Sequence, residues 1–246
     1  MTDGGSPDET KILLVGGSGG VGGAVSERLA GPRRKLIIHG GHNKDKLQAV
    51  TESCMQKGAR VEGFLTDIRR SEDLLRDAER YLPVDVLIVA FGPWLVSALD
   101  RTGLEQWRRM TELNLTLPGV LVSACLPGMM EGRFGRIILF GGWGTERLSG
   151  FRELAPYAAA KTGLGVLAAS VAKAYAEYNI SCTVICPSFV ETEYYSSEEK
   201  KRYKKRMPGG RMIDPAELAD LTEYLVFNSG TLLNGSVIPA GGGFFQ

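Results

Sequence analysis

Apolar residues in this chain recur in two alternating rhythms. Short runs rich in Val, Ile and Leu fall at 11–15, 35–39, 60–65, 85–91, 136–140, 180–186 and 236–238, with the length and composition of strands. Between them the apolar positions open to helical spacing. Val21, Ala24, Val25 and Leu29 mark one such segment, and Leu164, Leu167, Val171, Ala174, Tyr175 and Tyr178 a longer one. Asp214-Pro215-Ala216-Glu217 predicts a helix start: an Asp cap, proline in the first turn and glutamate three residues after the cap. Strands apolar on both faces, separated by helices, predict an α/β arrangement in which helices cover each side of a parallel sheet. No repeat, long linker or composition break interrupts residues 11–246, so one domain is expected.

Composition narrows the field. With 246 residues, 43% hydrophobic and 23% charged, the chain can bury a sizeable core and is unlike a disordered protein. A net charge of +1 favours neither nucleic acid nor an anionic membrane. Apolar stretches such as 84–91, with Asp85 inside, are too short to span a bilayer. Residues 1–10 are polar and acidic, with no cationic start and no apolar segment. They read as a flexible leader and not as a secretion signal. Cys54, Cys125, Cys182 and Cys186 form no CxxC pair and lie far in sequence from the two histidines, His39 and His42. No metal site is expected, and reduced buried thiols fit a cytoplasmic protein.

Two motifs carry chemistry. Gly16-Gly-Ser18-Gly19-Gly20-Val21-Gly22 follows the first predicted strand and opens the first predicted helix. In that setting glycines let the chain turn tightly and bring backbone N–H groups up to a pyrophosphate, whose charge a helix N-terminus favours. Further on, Tyr157 and Lys161 are four residues apart, which on a helix puts phenol and ammonium on one face. A nearby cation stabilises phenolate, so such a tyrosine can exchange a proton near neutral pH.

Taken in order, these features resemble the short-chain dehydrogenase/reductase family over nearly all of residues 11–246. The family's TGxxxGxG is similar to Val15–Gly22, with Val15 for the leading threonine. Asp67 and Ile68 match the acidic segment after the third strand, Asn114 the helix asparagine of the catalytic set, and Tyr157 and Lys161 the catalytic pair. The segment through Pro187, Val190 and Thr192 resembles the stretch beside the nicotinamide, with Ser188 where the family has glycine. Segments 209–215 and 234–242 resemble the C-terminal signatures. The resemblance implies a single-domain Rossmann-type, doubly wound sheet of about seven strands. It also implies hydride transfer to a carbonyl protonated by Tyr157. Lys161 would lower the Tyr157 pKa and bind the nicotinamide ribose, and Asn114 would hold a relay water.

Two departures stand out. The family's N-N-A-G after the fourth strand is Val89-Ala90-Phe91-Gly92, which leaves the backbone around Ala90 and Gly92 to line the ribose. The serine that helps bind the substrate carbonyl aligns with Gly142, or with Gly141 in a register shifted by one. The loop from there to Tyr157 is slightly longer than usual. Removing one such donor typically loses about 3 kcal/mol of transition-state stabilisation. Three explanations compete: Thr145 or Ser149 reaches back with a hydroxyl, the substrate needs only Tyr157, or the protein binds nucleotide with little redox activity. The last makes it a sensor or assembly subunit.

The cofactor is read after the second strand. No acidic side chain stands there before Asp45, and His42, with Lys44 near, falls where relatives preferring NADP often carry arginine, so NADP(H) is favoured over NAD(H). Residues at about 193–210 are expected to form a substrate lid, acidic first and then strongly basic. The basic part reads as a solvated helix face or as a landing patch for an acidic partner, such as an acyl thioester on coenzyme A or a carrier protein. Trp94, Trp143, Tyr194 and Tyr195 fall on loops near the expected pocket and favour a bulky or aromatic substrate, or else fill the core. No stacking platform for nucleic acid accompanies the basic run. The resemblance further implies a homodimer or homotetramer.

Overall fold

The computed structural model describes residues 9–69 and 71–244. Seven strands, β1 (Thr10–Val15), β2 (Arg34–Gly40), β3 (Arg60–Leu65), β4 (Val86–Val89), β5 (Gly135–Phe140), β6 (Ile180–Pro187) and β7 (Val237–Ala240), make one parallel sheet in the order β3-β2-β1-β4-β5-β6-β7. The helices are α1 (Gly20–Leu29), α2 (Lys44–Gln56), α3 (Ser71–Glu79), α4 (Leu104–Thr111), α5 (Leu117–Glu131), α6 (Ala155–Tyr175), α7 (Ser197–Arg206) and α8 (Pro215–Phe227). This is the Rossmann-type, doubly wound arrangement.

Strand alternation sorts the core into two layers. Leu13, Val15, Ile37, Leu87, Val89, Ile137 and Leu139 face α3, α5 and α6. Their neighbours Ile12, Leu14, Leu36, Ile38, Val86, Ile88 and Ile138 face α1, α2 and α8. Near-continuous apolar runs are therefore needed, since both faces are covered. At the sheet edge β3 departs from that pattern and is mostly exposed.

Element ends shift by a few residues for local reasons. Thr10, expected in the leader, opens β1 and pairs with Arg34, so the fold begins one residue before the expected boundary. The rest of the expected leader, apart from Glu9, lies outside the described residues. Asp85 stays out of β4, its carboxylate taking the Lys11 N–H at 2.7 Å. The α8 start is built as its sequence predicts: Asp214 accepts from Ala216 N at 2.9 Å, and Glu217 accepts from Asp214 N at 3.0 Å.

One helical run was hidden by reading apolar stretches singly. α4 and α5 join through a π-helical turn, Glu112–Thr116, into a continuous rod, Leu104–Glu131, long and apolar enough by length and composition to cross a membrane. Its Leu113, Leu117, Leu121, Val122, Cys125 and Met129 are buried in the first core layer.

Strand order reverses between β1 and β4, and Ala90 N donates to Val15 O at 2.9 Å where the two strands end. In open parallel sheets such a reversal leaves a crevice beyond the carboxyl ends of the strands. The sequence motifs converge there.

Candidate active site

The glycine loop is shaped by what touches it. Gly16 has φ +84°, a left-handed value that glycine adopts freely, and a Cβ there would sit 2.9 Å from Ala90 O. A Cβ on Gly22 would run into Gly16 O, so α1 can press against the loop only with glycine at that position. Val21, beside it, packs on the second core layer. Behind the loop, His39 is fully buried: Gly16 N donates to its Nδ1 at 3.2 Å, so its Nε2 carries the proton and donates to Thr66 O at 2.7 Å. Burial lowers the His39 pKa and keeps the ring neutral. Ser18 packs over the end of β2, its Oγ 3.0 Å from where a Gly40 Cβ would stand. Gly19 caps α1 without any side-chain hydrogen bond, and the Gly20 N–H is met by Glu193 Oε1 at 3.2 Å.

A second cluster sits where β4, β5, α6 and the π-turn meet. Lys161, 3% exposed, donates to Phe140 O at 2.7 Å and Phe91 O at 3.1 Å. Burial pulls its pKa down to about 8. Asn114 is fully buried, and its Nδ2 donates to Pro93 O at 3.0 Å and Met110 O at 3.1 Å. Asn114 lies within the π-turn, and its side chain reaches back four residues to Met110 O. Among the described residues, the buried Asn114 Oδ1 has no hydrogen-bond partner. A Cβ on Gly92 would run into that oxygen and come 2.7 Å from Lys161 Nζ, so the missing side chain at 92 is what opens this space. Asn114→Ala is expected to lose about 1–3 kcal/mol of stability by removing two buried side-chain hydrogen bonds, read as a lowered denaturant midpoint.

Tyr157 lies one helical turn before Lys161 on α6, its hydroxyl against Gly142; a Cβ at 142 would fall on that oxygen. Burial raises the Tyr157 pKa, with the neighbouring Cys186 and Tyr195 adding to the shift. The lowering expected from Lys161 does not prevail in this arrangement, and the phenol keeps its proton. The Thr145 hydroxyl is turned inward: it donates to Gly142 O at 2.8 Å, accepts from Gly142 N at 3.0 Å and lies 3.6 Å from Cys186 Sγ. Ser149 is half-buried further along the same loop.

The remaining predicted residues divide between two ends. Pro187 closes β6, Val190 bridges to Ile213, and Thr192 is buried with its Cγ2 3.6 Å from a Gly20 Cβ position, beside the glycine loop. At the other end, Asp67 is bound by Arg69, Nε to Oδ1 at 3.0 Å, which holds its carboxyl down at about 2. His42 is exposed and acts on Asp67 electrostatically, whereas Ile68 packs on the first core layer. Arg69 was not singled out in the sequence; nothing in its spacing marks it.

Aromatic rings wall the mouth. Trp94 stacks on Tyr195 at 5.7 Å, and Trp143 meets Phe151, Phe189 and Phe244 at 5.9, 6.4 and 5.2 Å. Phe189 stacks on Tyr203 at 4.2 Å. Tyr194 turns away from this group and covers Gly19 and Gly20. Phe189 and Phe244 were missed, although Phe189 lies inside the Pro187–Thr192 segment.

The sequence profile described as short chain dehydrogenase matches residues 10–203, most of the chain. The chain belongs to the short-chain dehydrogenase family. It is 30% identical over 243 residues to the 3-oxoacyl-[acyl-carrier-protein] reductase FabG of Escherichia coli (strain K12), covering 97% of this chain and 98% of that protein. Identity to the FabG of Aquifex aeolicus (strain VF5) is 27% over 241 residues, covering 95% and 96%. A variant of the actinorhodin polyketide ketoreductase, solved with NADPH, superposes with a TM-score of 0.84 at 26% identity, covering 97% of this chain and 98% of that one. The protein is therefore a nicotinamide-dinucleotide oxidoreductase of the short-chain dehydrogenase family, one of a group whose relatives reduce carbonyls.

Proposed function

We propose that the protein is an NADPH-dependent reductase of a ketone, with Tyr157 as proton donor and Gly142 standing where the family has serine. The observation that carries this reading is the placing of the Tyr157 hydroxyl on the bare face of Gly142, with the buried Lys161 ammonium one turn along α6. The site fits a dinucleotide on its own chemistry: side-chain-free glycines and an α1 start whose own cap residue, Gly19, offers no side chain at one end, and a buried Asn114 oxygen with no partner among the described residues at the other. Gly16 to Gly22, Ala90, Gly92, Pro187, Val190 and Thr192 would hold the cofactor. Bound there, its nicotinamide supplies the hydride.

The protein's own part is positioning and proton transfer. Tyr157 keeps its proton through neutral pH and so is in the donating form. As the proton leaves, charge grows on the phenol, and the Lys161 ammonium stabilises it. Asn114 Oδ1 accepts from a water that resupplies the proton. Thr145 contributes no free hydroxyl, because its proton lies on Gly142 O; this supports a substrate reactive enough to need Tyr157 alone.

His42, Lys44 and Lys46 after β2, with Asp67 neutralised by Arg69, support NADPH over NADH. The aromatic mouth and the FabG and ketoreductase relatives support a bulky or aromatic ketone, or a 3-oxoacyl thioester, under a lid at about 193–210. Four buried free thiols support a cytoplasmic setting, and the family resemblance supports a homodimer or homotetramer.

Following NADPH absorbance against a panel of activated ketones and quinones tests the reading. Cofactor binding without any turnover sinks it and leaves a nucleotide-binding protein of low activity. A pH series adds a second check: the reduction rate falls above about pH 8 as Lys161 loses its proton. Lys161→Arg, always charged, removes that break even though its rate is lower.

A further inference from the structure

The segment after Thr192 does more than frame a substrate mouth. Glu193 reaches from the start of this segment to the first turn of α1, where its Oε1 accepts from Gly20 N at 3.2 Å and pairs with Lys46 Nζ of α2 at 2.8 Å. The same oxygen lies 2.9 Å from the place a Gly19 Cβ would take, and the Tyr194 hydroxyl lies 2.8 Å from it. The Tyr194 ring edge covers Gly20 at 2.7 Å on the same measure. Lys46 Nζ sits 4.8 Å from the centre of the Tyr194 ring, and its Cδ is 3.7 Å from the Gly19 Cβ position.

A carboxylate, an ammonium and a phenol thus occupy the glycine surface. Gly19 gives α1 no capping side chain, so the first-turn N–H groups depend on an anion brought from elsewhere. In this structure that anion is Glu193, drawn from 173 residues away. An anionic oxygen on these amides with a lysine at its other side is the environment that a phosphate of the dinucleotide requires.

We propose that Glu193 is an internal competitor for the cofactor's phosphates, and that Lys46 changes partner from Glu193 to phosphate when the dinucleotide enters. The inference rests on the dinucleotide reading above and deepens it. Glu193 and Tyr194 must leave the glycine loop for the cofactor to seat, which ties opening of the 193–210 segment to cofactor binding. Lys46 is then a phosphate-binding residue that the Gly16–Gly22 motif alone does not reveal. The pair is surface-exposed, so the latch is weak and reversible, as exposed ion pairs are.

Dissociation constants of NADPH and NADH for the full chain, measured by fluorescence or calorimetry, decide it with two variants. Glu193→Ala tightens both dinucleotides, by about five-fold from a lost exposed pair and helix-terminal anion. Adding Lys46→Ala to Glu193→Ala weakens binding by about the same factor. A loss shared by NADPH and NADH assigns Lys46 to the pyrophosphate, and a loss confined to NADPH assigns it to the extra phosphate of that cofactor. Amide exchange at Gly20 rises in Glu193→Ala without cofactor, a readout independent of affinity. Unchanged affinity and exchange in Glu193→Ala overturn the competitor. A double variant binding as tightly as Glu193→Ala overturns the phosphate role of Lys46 and makes it a latch partner only. A wild-type chain that binds neither dinucleotide defeats the cofactor reading itself, a different outcome from either. Both residues are on the surface, and thermal melts confirm that the variants fold.

Discussion

Tyr157→Phe lowers kcat/KM for ketone reduction by about 10²–10⁴-fold, the range a positioned general acid contributes. The substitution keeps the ring and removes only the oxygen, so it opens no cavity in α6. Its hydroxyl is the group lying against Gly142, and burial keeps it protonated through the neutral range. NADPH affinity is expected within about two-fold of wild type, because no phosphate contact is touched. Stopped-flow or steady-state assays give the rate, and fluorescence titration gives the affinity. A variant that retains a tenth or more of the wild-type rate transfers the proton role elsewhere, with Tyr195 the neighbour to test next. Loss of affinity in parallel with rate makes Tyr157 a binding residue and removes the acid from the scheme.

Much of this arrangement can be read from the chain because single rules govern it. Strands buried on both faces must be apolar runs, which is why β1, β2, β4, β5 and β6 stood out, with only their ends moved. Glycines at 16 and 22 are required by close backbone approach, and the strand-loop-helix setting pointed to them. Asn114, Tyr157 and Lys161 were reached through family spacing, and the structure brings all three to one crevice. What stayed hidden depends on contacts between distant segments. No local pattern tells that Glu193 will cap α1, that His39 will take the Gly16 N–H, or that Phe244 will pack on Trp143. The π-turn at Glu112–Thr116 is likewise silent in sequence, since its residues keep a helical apolar pattern while the ladder slips. Position alone could not tell that the Thr145 hydroxyl bonds both the N–H and the carbonyl of Gly142 within its own turn.

On the proposed reading, a glycine at 142 in place of the family's serine has two meanings. One is a lost hydrogen-bond donor; the other is space gained for the phenol. Any Cβ at 142 falls on the Tyr157 hydroxyl and comes 3.1 Å from its Cζ. The backbone at 142 has little freedom to yield, because Thr145 Oγ1 ties both its N–H, at 3.0 Å, and its carbonyl, at 2.8 Å. The phenol therefore moves, and a displacement of about 1 Å at a reacting group typically loses on the order of 10² in rate. Gly142→Ala is expected to lower kcat by about that factor, with NADPH affinity unchanged and melting close to wild type. Gly142→Ser brings the same Cβ together with a donor, and one donor of this kind is worth about 10²–10³ in kcat. The serine variant should then run at least about ten-fold faster than the alanine variant. Rates for Gly142→Ala equal to wild type sink the idea that the phenol uses this space. Equal rates for the two variants leave the space argument standing and show that the substrate carbonyl takes no hydrogen bond from position 142.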